Sequence, residues 1–465
     1  MTELKHEKRL TTIILAGGKG TRMKSPLPKV LHPVAGIPMI QRIVETAQKI
    51  SSTEIRVVVG HGQGLVTQVV EPMGAKCFVQ KEQKGTADAV KSADIENLDG
   101  EVIIMNGDHP LITPQDLLEL LRVFREEKLD LAVATCEVPS PGQLGRVVRH
   151  QGKLRAIVEA KDASADTLKI NEINTGLYVV KAVVLAEYLP EIQCLNKQNE
   201  YYLTDLISLA VENNQQVDGI KMPLHVSSGV NSQQELAYAT TQVFQRKRDQ
   251  LMTEGVILID PSSVFIEENV QVGPGTVIYP NVFVRGKTQI GSFCVLEPNV
   301  FINEAVIRDS VQIRGGSYLE QCEVNSHCLI GPYARLRPKT VVGEEAHIGN
   351  FVELKNVQFG KKSKANHLAY LGDAEIGTEV NIGCGTITCN YAADKKKYKT
   401  KIGDRTFVGS DSQFVAPVEI GSDVVIGSGS TITKAVPDGS LAVTRATQVI
   451  REGYTEKLRK RLEGK

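Results

Sequence analysis

The chain has 465 residues, with 54 Lys and Arg against 54 Asp and Glu and a formal net charge of zero. That length accommodates roughly two or three domains with large cores, and the balanced charge offers no field for a nucleic-acid or membrane-surface partner. Residues 1–9 are charged without an apolar core, and no apolar run approaches a membrane span, so a cytoplasmic protein is expected. Eight cysteines lie scattered, with no CxxC and no histidine spacing that would hold zinc. Cys322 and Cys328 are six apart, which predicts buried, reduced thiols in equivalent places on one face of a repeat, with a disulfide or reactive site as the alternative.

Residues 11–16, Thr-Thr-Ile-Ile-Leu-Ala, read as a buried strand running into Gly17-Gly18-Lys19-Gly20-Thr21-Arg22-Met23. A glycine-rich turn after an apolar strand exposes N–H groups that can cradle phosphates, with Lys19 and Arg22 adding charge. The P-loop does not fit, because it needs Gly-Lys-Ser/Thr four residues after another Gly; the dinucleotide fingerprint needs a third Gly where Met23 stands. From the loop alone a simple tight turn stays open. Pro26-Leu27-Pro28-Lys29 then places a lysine in a proline-stiffened segment, followed by an apparent helix to about residue 50. This stretch resembles the sugar nucleotidyltransferases, L-A-x-G-x-G-T-R-M followed by P-K. The resemblance implies that Leu15, Ala16, Gly17, Gly18 and Lys29 grip a nucleoside triphosphate and that Lys29 neutralises phosphate charge as pyrophosphate leaves.

Apolar strands at 55–59, 77–80, 102–105 and 131–136 alternate with loops, which predicts a doubly wound, Rossmann-like α/β domain over 1–231. Ligands collect at the carboxyl ends of strands in such sheets. Asn106-Gly107-Asp108-His109-Pro110 sits at one, so Asp108 reads as a Mg²⁺ carboxylate, with a turn or helix cap as the alternative. Residues 232–254 carry Leu236, Ala239, Val243 and Phe244 at helical spacing and read as a semi-rigid linker helix.

From 256 to 450 an aliphatic residue returns every sixth position: Ile266, Val272, Ile278, Val284, Ile290, Leu296 and Ile302, then 330–354, then 402–432. Gly often follows it, as in Val272-Gly273 and Ile426-Gly427. The period is that of hexapeptide repeats and predicts a parallel β-helix over 255–465. Three rungs per turn make a triangular prism, and about ten turns at roughly 4.8 Å make a rod on the order of 50 Å long. Antiparallel strands would instead show a period of two.

Two breaks in the rhythm carry polar residues. Arg337 and Lys355 are 18 apart, one triangular turn, and should stack. With no anion evident beside them, a sugar phosphate is the natural counter-ion; a solvated Lys/Arg ladder is the alternative. His367 follows in 361–373, near Tyr370 and, a turn on, Asn381 and Asn390-Tyr391. An amine attacking a thioester must lose a proton, and an imidazole titrating near pH 6.5 is suited to take it.

Across nearly the whole chain the sequence resembles the bacterial bifunctional UDP-N-acetylglucosamine pyrophosphorylase and glucosamine-1-phosphate N-acetyltransferase family. The motifs are Gln80, Gln83-Lys84-Gly85-Thr86, Gly107-Asp108, Gly145-Arg146, Ile157-Val158-Glu159, Glu172-Ile173-Asn174 and Gly229-Val230-Asn231, with the segment 364–391 the most specific. The resemblance implies a left-handed β-helix and a homotrimer whose acetyltransferase site is shared between neighbours and covered by a C-terminal segment. Gln80, Gly85 and Thr86 would hold uracil, Gly145, Glu159 and Asn174 the sugar, and Asp108 and Asn231 a Mg²⁺ ion that stabilises the phosphates together with Lys29 and Arg22. His367 would be the base of the acetyl transfer, and Arg337, Lys355, Tyr370 and Asn381 would bind glucosamine 1-phosphate. Asn390 and Tyr391 would lie where that substrate meets acetyl-CoA, which Cys384, Ser410, Ser428 and Arg445 would also contact. Three departures stand out: Ala87-Asp88-Ala89 where the family often has Gly-His-Ala, Cys384 and Ser428 where it commonly has alanine, and a long loop at 392–399. In that loop one of Lys395, Lys396 and Lys397 would meet the acetyl-CoA phosphates, the choice among them staying open, with a solvated charge run as the alternative. The small-molecule substrates would be UTP, sugar 1-phosphates and acetyl-CoA, with UTP over dTTP resting on the resemblance. The alternatives are a single-activity nucleotidyltransferase with a passive rod, and an assembly scaffold.

Overall fold

A computed structural model describes residues 9–464. The charged start at 1–8 lies outside the described residues. Contacts divide the chain into two compact units between Val243 and Phe244.

The first unit is built on β1 (Leu10–Ala16), β2 (Glu54–Val59), β3 (Lys76–Val79), β4 (Glu101–Asn106), β5 (Leu131–Glu137), β6 (Arg146–His150), β7 (Lys153–Val158), β8 (Glu172–Lys181) and β9 (Val217–Lys221). The sheet order is β9-β5-β8-β4-β1-β2-β3, with the β6-β7 hairpin joined to β8. Strands β4, β1, β2 and β3 run parallel, as the alternation of strands and loops predicts. Strand β8 instead runs antiparallel to β4 and β5. The central strands are apolar nearly throughout because helices cover both faces. Ile14, Ile103 and Met105 turn to one side, against Ile40, Ile43, Leu120 and Phe124. Ile13, Ile104 and Val102 turn to the other, against Val90, Leu206 and Ile207. The hairpin turns through Gln151 and Gly152, both at positive φ, the geometry of a tight two-residue connection.

The second unit is a ladder of parallel strands, most two or three residues long, in which each strand pairs with the one three along. Every aliphatic of the sixfold series is buried in one continuous core. Turns of 18 residues, such as Phe283 to Phe301, give way to turns of 17, such as Phe301 to Tyr318, where one corner residue is missing. The breaks in the sequence rhythm are two continuous 13-residue strands, His347–Phe359 and Lys364–Ile376. They pair with each other from His347–Lys364 to Phe359–Ile376, wrapping the corners at Phe351 and Asn356 without leaving the ladder.

Cys322 and Cys328 are free and buried, but they precede successive strands, which lie on neighbouring faces and not on one. Burial pushes their thiols up to about 12 and about 11. Phe414 is fully buried and stacks between Thr388 and Ile432 in the ladder. Phe414→Ala leaves a cavity that no rung can collapse into. A loss of about 3–5 kcal/mol is expected in urea unfolding followed on the rod.

The helix Gln233–Thr253 spans the division between the units. Its Ala239 and Val243 are buried, Phe244 meets Phe265 edge to face at 5.6 Å, and Leu251 joins the rod's core. Among the described residues no helix is long and apolar enough to cross a membrane.

Candidate active sites

The first unit opens a cavity of about 420 Å³ at the carboxyl ends of β1, β3 and β4. Leu15, Ala16, Gly17, Gly18, Lys29, Gln80, Gly85, Thr86, Asp108 and Asn231 all line it, so most of the expected nucleotide residues converge. Pro28 leads into a short turn, Lys29–Leu31, that aims Lys29 inward. Its ammonium is bound to the Asp108 carboxylate and donates to Asn231 Oδ1 at 2.9 Å. The Val230 N–H donates to the Asp108 carbonyl at 2.8 Å, which ties the loop carrying Asn231 to the end of β4. Burial opposes ionisation of Asp108, but Lys29 and His109 outweigh it and hold the carboxyl below its ordinary range.

Arg22 lies in the wall of an adjoining cavity of about 530 Å³, with Ser227, Ser228 and Tyr238; His109 and Asn231 border both cavities. Gly145, Glu159 and Asn174 line neither cavity, yet they meet one another. The Asn174 N–H donates to the Gly145 carbonyl at 3.0 Å, and a Cβ at Gly145 would stand 3.2 Å from Glu159 Oε1. Asn174 Nδ2 donates to Tyr178 at 2.9 Å, and Thr204 Oγ1 donates to Glu159 at 3.3 Å. Burial raises Glu159, and Asp205, Asp162 and Glu200 add to the rise against the Thr204 bond.

His109, Gln83, Asn106 and Glu200 also line the cavity; the first three stand in motifs of the sequence without an expected role, and Glu200 in none. Asn106 and His109 flank Asp108 in the very motif singled out, so proximity to that residue was the available signal. Asp88, the departure from the family pattern, accepts from Gln80 Nε2 at 2.7 Å. The oxygens of Asp108 and Asn231 already converge on one cation, the Lys29 ammonium. Hard oxygen donors of this kind suit Mg²⁺, which takes one or two protein ligands and completes its shell with phosphates and water. No group of three or more His, Cys, Asp and Glu side chains forms a closed metal cage among the described residues.

In the rod, the two 13-residue strands bring the second site together. Asn350 and His367 are partners in the ladder, and His367 Nδ1 meets Asn350 Oδ1 at 3.1 Å. An amide oxygen only accepts, so with Oδ1 facing the ring this contact suits the tautomer protonated at Nδ1, whose Nε2 carries a free lone pair. The register of Lys364, Asn381, Phe407 and Val425 carries the same column on through Cys384, Ser410 and Ser428, three residues beyond each partner. Arg445 closes it, donating to the Ser428 carbonyl at 3.0 Å. Asn381 stands beside Lys364 one turn on.

Around the next corner, Glu353 pairs with Tyr370 and Lys355 with Gly372. The stacked cations expected here are present, but the expectation that no anion accompanies them is overturned. Arg337 meets Glu353 at 2.8 Å, and Lys355 meets Asp373 at 3.1 Å. Asn356 and Asn390 also donate to Asp373, at 2.6 and 2.5 Å, and with Lys355 they lower that carboxyl against the effect of burial. These anions lie 16 and 18 residues along the chain, brought round by the corners. The loop after Tyr391 folds back through a bridge to Lys397, which therefore lies near Lys355 and Arg337; their charges push its ammonium down. A ring of three cations and two carboxylates is thus formed beside His367's column.

A glycine loop with a lysine–carboxylate cluster at strand ends, joined in one chain to a hexapeptide rod bearing a histidine and clustered cations, defines a two-site transferase. A MobA-like NTP transferase domain matches residues 12–169, a GMPPB C-terminal domain 261–365, and a bacterial transferase hexapeptide model 399–434. The chain is 63% identical over 448 residues to the bifunctional protein GlmU of Bdellovibrio bacteriovorus, covering 96% of this chain and 98% of that one. It is 43% identical over 461 residues to the protein of the same name from Pelobacter propionicus, covering 98% and 100%. For the one from Acinetobacter baumannii the figures are 40% over 454 residues, covering 97% and 99%. The chain belongs to the bifunctional GlmU family. It is a bifunctional enzyme of UDP-N-acetylglucosamine biosynthesis, a nucleotidyltransferase and an acetyltransferase in one chain, and the readings as a single-activity enzyme or a scaffold fall away.

Proposed function

We propose that the residues gathered in each unit perform the two steps in order. In the rod, Arg337, Lys355 and Lys397 hold the phosphate of glucosamine 1-phosphate, while Tyr370, Asn381, Asn390 and Tyr391 surround the sugar and the reacting end of acetyl-CoA. The cofactor lies along the column Cys384, Ser410 and Ser428 toward Arg445. His367 Nε2 takes a proton from the substrate amine as its nitrogen attacks the thioester carbonyl. The C–N bond forms, the C–S bond breaks, and the proton passes to the departing CoA thiolate.

In the first unit N-acetylglucosamine 1-phosphate lies against Gly145, Glu159 and Asn174, and UTP lies in the glycine-loop cavity with uracil at Gln80, Gly85 and Thr86. A phosphate oxygen of the sugar phosphate attacks the α-phosphorus in line, and pyrophosphate leaves. Lys29, oriented by Asp108 and Asn231, and Arg22 from the adjoining cavity neutralise the charge that develops. Mg²⁺, held by Asp108 and Asn231 when bound, supplies further charge neutralisation on the phosphate oxygens.

The single observation that carries this reading is that both breaks in an otherwise aliphatic rod assemble one polar site, with a base, cations and their orienting amides. A homotrimer fits the same unit. Tyr333, Phe351 and Leu368 expose 60, 58 and 59% of their surface at successive turns of one corner beside His367, an apolar stripe suited to a second copy. Cytoplasmic residence fits the nucleotide and acetyl-CoA substrates. The test follows CoA release from acetyl-CoA and glucosamine 1-phosphate, and pyrophosphate release on adding UTP. Both products are expected from the intact chain; CoA release absent from a folded oligomer would overturn the assignment of the rod.

Glu159 gives a second check, with opposite signs for stability and binding. The folded state holds the Glu159 proton more tightly than the unfolded chain does. Stability of the first unit therefore falls as pH rises from the ordinary carboxylate value through the raised one, and stays reduced above it. Glu159→Gln removes that penalty, so its thermal midpoint should exceed wild type at pH 7 and match it in acid. The same change should raise KM for the sugar phosphate on the order of 10- to 100-fold through loss of a charged hydrogen bond.

A further inference from the structure

We propose that Asp88 is a positioning residue through which the first unit selects imide nucleobases over cytosine, an inference that rests on the nucleotidyl-transfer reading above. Gln80 is buried just past the end of β3. Its Nε2 donates to the Gly85 carbonyl at 3.2 Å and to Asp88 Oδ2 at 2.7 Å. Both amide hydrogens therefore go to groups that accept only. Turned over, the amide would set its oxygen against a carboxylate and a carbonyl, so the network itself assigns the orientation.

The consequence lies at the other end of the amide. Oε1 points toward Gly17, where a Cβ would stand 3.0 Å from it, and no donor among the described residues reaches it. Gly17 and Gln80 both line the nucleotide cavity, whereas Asp88 lines a separate cavity with Lys91 and Tyr201. Asp88 thus acts from behind, holding a bare acceptor toward the ligand. A fixed acceptor reads an N–H on the base edge. The imide of uracil offers one, and cytosine presents an unprotonated ring nitrogen at the same position, so acceptor would face acceptor. Thymine shares the imide, so this device separates the imide bases from cytosine and leaves UTP against dTTP to other groups. A site built to hydrogen-bond a substrate N–H rejects analogues lacking it far more strongly than an apolar pocket rejects a change of shape.

The test compares kcat/KM for UTP and CTP, with N-acetylglucosamine 1-phosphate, in the full-length wild type, Asp88→Ala, Asp88→Asn and Gln80→Ala, with thermal unfolding of each. Wild type should prefer UTP. In Asp88→Ala the freed amide samples both orientations, and the UTP to CTP ratio should fall by about tenfold or more. Asp88→Asn can turn its own carbonyl to Gln80 and should keep most of the preference. A ratio unchanged in Asp88→Ala while Gln80→Ala lowers it, or an equal loss with both nucleotides, would overturn the role of Asp88. Wild type inactive with UTP would overturn the nucleotidyl-transfer reading instead.

Discussion

Replacing His367 by alanine should lower CoA release about 10²- to 10⁴-fold, the range contributed by a positioned general base, while pyrophosphate release from UTP stays at the wild-type rate. His367 is exposed on the rod, and its side-chain hydrogen bond among the described residues is to Asn350, so its removal leaves no buried group unpaired. The fold is expected to survive, which makes lost activity a statement about chemistry. Asn350→Ala should cost less, because it removes the group that holds the proton on Nδ1 and leaves the imidazole in place. Its loss should fall mainly on kcat. Release at wild-type rates in His367→Ala would end its role as the base.

The second large effect is expected from Asp108. Its carboxylate and Asn231 hold Lys29 from two sides, and removing it leaves a mostly buried ammonium with an amide oxygen as its remaining partner. Asp108→Ala should lower uridylyl transfer on the order of 10³-fold, the scale of losing one preorganised charge-stabilising group, together with any metal-binding contribution. An uncompensated buried charge also destabilises, by roughly 3–5 kcal/mol. Asp108→Asn is therefore the sharper variant, since it keeps size and an oxygen near Lys29 while removing the charge. CoA release serves as the internal control: it should be unchanged while pyrophosphate release collapses, and wild-type pyrophosphate release in either variant would remove Asp108 from the chemistry.

Lys29, Gln80, Asp108 and Asn231 were legible as a set because the resemblance supplied their order, and the cavity brings all four together. The turn of β8 was not legible. An apolar strand reads the same in either direction, and only its pairing between β4 and β5 reveals that it runs against them. The acidic partners of Arg337 and Lys355 were hidden for a different reason. Glu353 and Asp373 stand near them only because the ladder wraps its corners and returns after 17 or 18 residues. Asn350 beside His367 is the same case, and so is Lys397, which a loop delivers to Lys355.

The sequence alone determined the rod, because a six-residue period is a local pattern written many times over, and each copy buries its aliphatic residue whatever the others do. It determined the glycine loop and the strand ends for the same reason, since each depends on residues close along the chain. Only the tertiary structure decided which charges neutralise one another, which ring nitrogen of His367 is free, and that Asp88 holds Gln80. Those are contacts between distant or differently oriented side chains, and their geometry is set by the register of whole strands and the path of loops.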